Sequence, residues 1–176
     1  MKKIICLLLC TAALLLLSAC GEKESITAPY GFKLASEPNI VDYAFFVPST
    51  WTVDKQGGVT AAYYSENDQT SMTVTLYALP NGVSDLDGYW NYYADTLSGT
   101  YGAPVNVETE NILLDGREAR RYTYTLTLGE TAYKFTQAVC IRSGGVYVIT
   151  YASTAENFDL HAADAETSIN TFTFVK

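Results

Sequence analysis

From Val41 onward, short runs of alternating apolar and polar residues are interrupted by turn residues, the texture of a β-rich chain. Tyr43–Val47 reads as a first strand stopped by Pro48, with Trp51-Thr52-Val53 and then Gly57-Gly58 after it. Val59–Tyr64 and Ser71–Leu79 are strand-like and joined by the polar Ser65–Gln69, a hairpin by composition that Pro80-Asn81-Gly82 closes. Over Ser84–Ser98 the period changes. Leu86, Tyr89, Trp90, Tyr93 and Leu97 fall on one helical stripe, and Ser84 is placed to cap it, with Gly99 just past its end. Such a stripe belongs against a sheet.

The second half carries the clearest strand signals. Val105–Leu114 ends in the hairpin dipeptide Asp115-Gly116. In Glu118–Leu128, Tyr122, Tyr124, Leu126 and Leu128 share one face, and Thr123, Thr125 and Thr127 the other. Gly129-Glu130 leads into Thr131–Arg142, where Tyr133, Phe135, Val139 and Ile141 share a face, and Ser143-Gly144-Gly145 leads into Val146–Ala152. Three turn-linked strands form an antiparallel meander expected at the sheet's centre. A helix follows over about Thr154–Asn170, with Ser153-Thr154-Ala155-Glu156 as a capping box, and Phe172–Val175 adds a short final strand. The pattern predicts an α+β domain, an antiparallel sheet flanked by helices.

Ahead of this body, residues 1–19 have the layout of a lipoprotein signal peptide: Lys2 and Lys3, an apolar run from Ile4 to Leu17, then Ser18-Ala19 before Cys20. The apolar run is shorter than the roughly 20 residues of a membrane span. The expected mature chain starts at a lipidated Cys20, and two or three acyl chains hold a protein stably at a bilayer. Residues 20–39 then form a polar tether whose distal part, through Ile26, Tyr30 and Phe32, docks on the domain at 40–176. These features place the domain at the outer face of the cell membrane.

Charge narrows the partners. The chain has eleven Lys/Arg against nineteen Asp/Glu; removal of residues 1–19 leaves nine against nineteen, a formal charge of −10. Nucleic acid is an unsuitable partner for such a surface, because binding there needs clustered cations. Arg117, Arg120 and Arg121 form the one basic cluster, with 117 and 121 on one strand face and 120 on the other, and are the candidate partner-binding residues.

Catalytic chemistry has little to rest on. Cys140, in an apolar strand run, is the one thiol left after Cys6, Cys10 and Cys20 and is expected to be a buried hydrophobe. His161, beside Asp159 and Asp164, is expected on a solvated helix surface, and Asp85, Asp87, Glu108 and Glu110 lack the spacing of a calcium loop. No nucleophile elbow, phosphate loop, dinucleotide fingerprint or zinc-protease motif occurs. We therefore expect no enzyme, no cofactor and no metal site.

Three strings carry a family resemblance: Phe45-Phe46-Val47-Pro48-Ser49-Thr50-Trp51 followed by Gly57-Gly58; Leu114-Asp115-Gly116-Arg117-Glu118-Ala119 with the Tyr-rich strand after it; and Ile149-Thr150-Tyr151-Ala152-Ser153 leading to a helix and Phe172-Thr173-Phe174. Together they resemble the PsbP-like domain family over roughly residues 40–175. The resemblance implies an α/β/α sandwich. It also implies an accessory of a membrane complex, since photosynthetic members are extrinsic subunits of one. The alternative expectation is a module that captures a small ligand, glycan or cation outside the cytoplasm.

Overall fold

The computed structural model describes residues 26–54 and 60–175. The signal segment, Cys20, the first tether residues and Gly57-Gly58 lie outside the described residues. Among the described residues no helix is long and apolar enough to cross a membrane.

A seven-stranded sheet forms the middle layer, in the order β4 (Thr52–Asp54), β5 (Thr60–Tyr63), β6 (Ser71–Ala78), β10 (Gly145–Thr154), β9 (Thr131–Arg142), β8 (Arg117–Leu128) and β7 (Val105–Leu114). Every neighbouring pair is antiparallel. The expected meander supplies β8, β9 and β10, and β10 is the central strand because β6 pairs with its other side. Helix α1 (Leu86–Tyr101) lies over β8 and β9 on one face, and α2 (Phe158–Asn170) lies on the other, against β10 and β3 (Phe46–Pro48).

The alternation in β8 sets the two cores. Tyr122, Tyr124 and Leu126 point toward α1 and pack with Val139, Val146, Val148, Tyr89 and Leu97. Even-spaced partners in register continue the layer, so Tyr124 stands opposite Phe135 and their rings stack 5.2 Å apart. Under α2, Phe45, Trp51, Met72, Ile149, Tyr151 and Ile169 form the second core, joined by Cys140. Cys140 is fully buried as expected, and burial pushes its thiol up from its ordinary value.

Local structure departs from the sequence reading at five places. Tyr43–Val47 is two short strands, β2 (Tyr43–Ala44) and β3, because the chain changes partner at Phe45: its N–H donates to Ser36 Oγ and its carbonyl accepts from Ala35 N. β2 pairs with β11 (Thr173–Phe174) and β3 with β1 (Phe32–Leu34). Tether docking thus takes the form of a strand starting at Phe32, while Tyr30 and Ile26 remain exposed. α1 is capped by Asp85, not Ser84: Asp85 has extended backbone and its Oδ1 accepts from Gly88 N at 2.7 Å. The helix also runs through Gly99 to Tyr101, and Gly102, at φ 97°, is the residue that leaves it.

The capping box before the second helix does not form, because β10 keeps its pairing with β9 through Thr154, and Ala155 N still donates to Ala132 O. α2 therefore begins at Phe158, with Asn157 N bonded back to Thr154.

Candidate partner-binding cleft

Tyr122 seats the start of α1. Its hydroxyl donates to Leu86 O at 3.0 Å, and Trp90 stacks on its ring at 4.2 Å with the planes 10° apart. Burial pushes the Tyr122 hydroxyl up to about 12, opposed by Arg120 and assisted by Asp87 and Asp85. Gly88 leaves room for this cap, since a Cβ there would crowd Asp85 Oδ1 at 3.2 Å.

Across from this helix start, Asp115 (φ 49°) and Gly116 (φ 71°) form the tight turn between β7 and β8. The Asp115 carboxylate also accepts from Phe174 N and Thr173 Oγ1, both at 3.1 Å, and so ties the last strand to the turn. Phe174 in turn lies under two cations, the Arg142 guanidinium at 4.5 Å and that of Arg117 at 5.6 Å. Arg142 and the Tyr147 hydroxyl both bond the Asp42 carboxylate.

Between the helix start and the turn lies an open cleft of about 560 Å³, lined by Ser84–Asp87, Gly116–Glu118, Arg120 and Ile141. Its walls carry both signs of charge: Arg117 and Arg120 against Asp85, Asp87 and Glu118. Arg120 bonds Asp87 at 2.8 Å, and its buried Nε has no hydrogen-bond partner among the described residues. The cleft is a polar, two-signed recess open to solvent.

Because Arg117 stands at the very start of β8 beside the turn, at the rim of the sheet, two of the three sequence-selected arginines, 117 and 120, line this one site although alternation sets them on opposite faces. Arg121 does not: it points to the other face of the sheet and bonds Glu110 at 3.1 Å and Glu166 at 2.9 Å. Alternation along β8 separates it from Arg120, as strand geometry requires. Sequence reasoning missed the carboxylates opposite the arginines, Asp85 and Asp87, because their nearness to β8 has no signature along the chain.

His161 is not on a solvated helix surface. Its Nε2 lies 3.4 Å from Asp68 Oδ2, and its ring sits 4.1 Å from Tyr64 and 5.9 Å from Trp51. Neither Asp159 nor Asp164 is its partner; Asp159 is instead 4.0 Å from Lys134 Nζ. Asp68 also accepts from Thr70 N at 2.9 Å and Thr70 Oγ1 at 2.6 Å, and Thr70 Oγ1 shares a 2.7 Å bond with the buried Ser153 hydroxyl. Burial by itself raises the Asp68 carboxyl, but hydrogen bonds from Thr70, Asn157 and His161 outweigh it and hold the group below its ordinary range. This cluster fastens the β5–β6 loop to β10 and α2. No sequence spacing links Asp68 to His161, so only the fold brings them together.

No family model matches the chain, and no curated protein matches it. Solved structures do. Cyanobacterial PsbP (CyanoP) from Synechocystis sp. PCC 6803 superposes with a TM-score of 0.58 at 14% identity, over 90% of this chain and 98% of its own. The Saccharomyces cerevisiae Ran-binding protein Mog1p gives 0.60 at 11% identity, over 82% of this chain and 96% of its own. LpqN of Mycobacterium tuberculosis, described as involved in cell envelope biogenesis, gives 0.52 at 12% identity, over 76% and 83%. The chain has an α+β, PsbP-like fold, with a largely antiparallel sheet between two helices.

Proposed function

We propose that this protein is an extracytoplasmic lipoprotein, anchored through Cys20, that acts as a non-enzymatic binding or assembly accessory of a membrane complex. The two-signed cleft at the start of α1 carries the reading. A recess lined by two arginines and three carboxylates, open along one side, suits a charged segment of a protein partner. Small-molecule pockets are instead largely apolar and enclosed. The solved neighbours support it in part, since one is a Ran-binding protein and another is involved in cell envelope biogenesis.

The anchor rests on the Lys2-Lys3, apolar run and Ser18-Ala19-Cys20 pattern. The test is chemical crosslinking on intact cells expressing a tagged chain, with Cys20→Ala and Arg117→Glu/Arg120→Glu forms alongside. The expected result is one defined membrane complex, recovered with the parent chain and lost in both variants. Recovery of only scattered, abundant envelope proteins counts against the accessory role.

A further inference from the structure

The two edges of the main sheet are built differently. β4, at one edge, has three residues; β7, at the other, has ten. A short edge strand offers little to pair with, whereas a long one exposes a row of unpaired backbone groups that proteins ordinarily guard with lysine, proline or a bulge. β7 is guarded only at its start: Pro104 precedes it, and the register shifts between Val105 and Glu108, where Asn106 takes φ 54°. From Glu108 to Leu114 the pairing with β8 is regular, with no lysine, proline or bulge. Among the described residues no strand lies beyond it.

The side chains of this stretch are also largely uncovered. Glu108 and Glu110 share one face and are exposed, and Leu113 on the other face is 67% exposed. Ile112 and Leu114 anchor the end of the strand in the core. An edge that is long, regular and, up to Asn111, exposed on both faces is suited to β-strand addition, in which backbone bonds supply affinity and alternate side chains supply selection.

We propose that the outer edge of β7, from Glu108 to Leu114, is a docking strand for an extended segment of a partner protein that carries basic residues at alternate positions. Side chains directly opposite on neighbouring strands lie about 5 Å apart, where opposite charges attract and like charges repel. Glu108, and Glu110 whose carboxylate is shared with Arg121 on its inner side at 3.1 Å, thus select two cations spaced two residues apart, Glu108 the more strongly. Leu113, on the opposite face, selects an apolar residue. For an antiparallel partner the pattern reads apolar-x-x-basic-x-basic. The chain's net charge of −8 draws such a segment in at long range and opposes pairing with a second copy. This inference stands apart from the cleft and from the anchor.

Its test uses the purified full chain in detergent and amide hydrogen exchange across β7. The probes are three synthetic peptides, Leu-Thr-Thr-Lys-Thr-Lys, its Glu-for-Lys counterpart, and a form with proline in place of the second Thr, each up to millimolar concentration. The expected result is slower exchange between Glu108 and Leu114 with the Lys peptide alone. Glu108→Lys should weaken that binding about threefold to tenfold, and a fourth peptide reversed only opposite residue 108, Leu-Thr-Thr-Lys-Thr-Glu, should recover it on that variant, which a merely unfolded variant cannot do. Unchanged exchange at millimolar Lys peptide overturns the proposal. So does equal protection by all three peptides. Protection already present in the free chain overturns it as well: dependence on protein concentration assigns the edge to a second copy, and independence assigns it to another segment of this chain.

Discussion

Asp68→Asn is the most informative single change to the fold, because it removes a charge from a cluster that joins three elements while keeping the side chain's shape. In the parent protein the Asp68 carboxylate takes two hydrogen bonds from Thr70, at 2.9 and 2.6 Å, and faces His161 at 3.4 Å. Its side chain is only 13% exposed, so solvent screens these contacts weakly. Hydrogen bonds to a charged group contribute about 1.5–3 kcal/mol each against about 1 kcal/mol for neutral ones. An Asn retains an acceptor oxygen for Thr70 but loses the charge, so the expected cost is about 2 kcal/mol. For a domain of this size that is a fall in Tm of about 4–8 °C.

The pH dependence has a definite sign. The carboxyl is held below its ordinary 3.8 in the folded protein, so its contribution is complete above that value and is lost as pH falls through the folded one. Urea unfolding of parent and variant should therefore differ by about 2 kcal/mol at pH 7 and converge in the acid range below the ordinary value. In a Thr70→Val background the same substitution should cost less, since the two residues share the bonds. A gap below about 0.5 kcal/mol at pH 7, or one that stays constant into acid, refutes the reasoning.

Three further outcomes follow from the packing. Trp90→Ala should cost about 3 kcal/mol in urea unfolding and loosen the cleft, because the indole stacks on Tyr122 at 4.2 Å; near-UV circular dichroism of the aromatic layer reads the loss. Asp115→Ala removes two bonds to the last strand and should cost about 2 kcal/mol, with faster amide exchange at Phe174. Cys140 is fully buried, so a thiol reagent should label it in the native protein only at the rate of unfolding; prompt stoichiometric labelling is the contrary result.

Sheet and helices were legible in the sequence wherever one period dominated. Alternation placed Tyr122, Tyr124 and Leu126 on one face of β8, and the 3.6-residue stripe placed Leu86, Tyr89 and Leu97 against them. Boundaries failed where a backbone partner outcompeted a local signal. Ser153 matches a helix cap, yet β9 holds it in a strand; Ser84 matches one too, yet Asp85 takes the bond. The split at Phe45 was illegible because it depends on Ala35 and Ser36, which read as tether.

The candidate site was half visible. Strand parity separated Arg120 from Arg121, and the structure agrees. That Arg117 and Arg120 share a cleft with Asp85 and Asp87 depends on how α1 crosses β8, a tertiary fact without a sequence signature. The Asp68–His161 contact is of the same kind, spanning loop to helix.

The accessory role is tested most directly by site-resolved photocrosslinking in intact cells, with the photoreactive residue at Glu118 in the cleft or at Glu130 in the turn beyond the far end of β8. The account predicts one membrane protein crosslinked from position 118, little from position 130, and loss of the product in the Cys20→Ala chain. Equal, diffuse crosslinking from both positions, unaffected by Cys20→Ala, contradicts it.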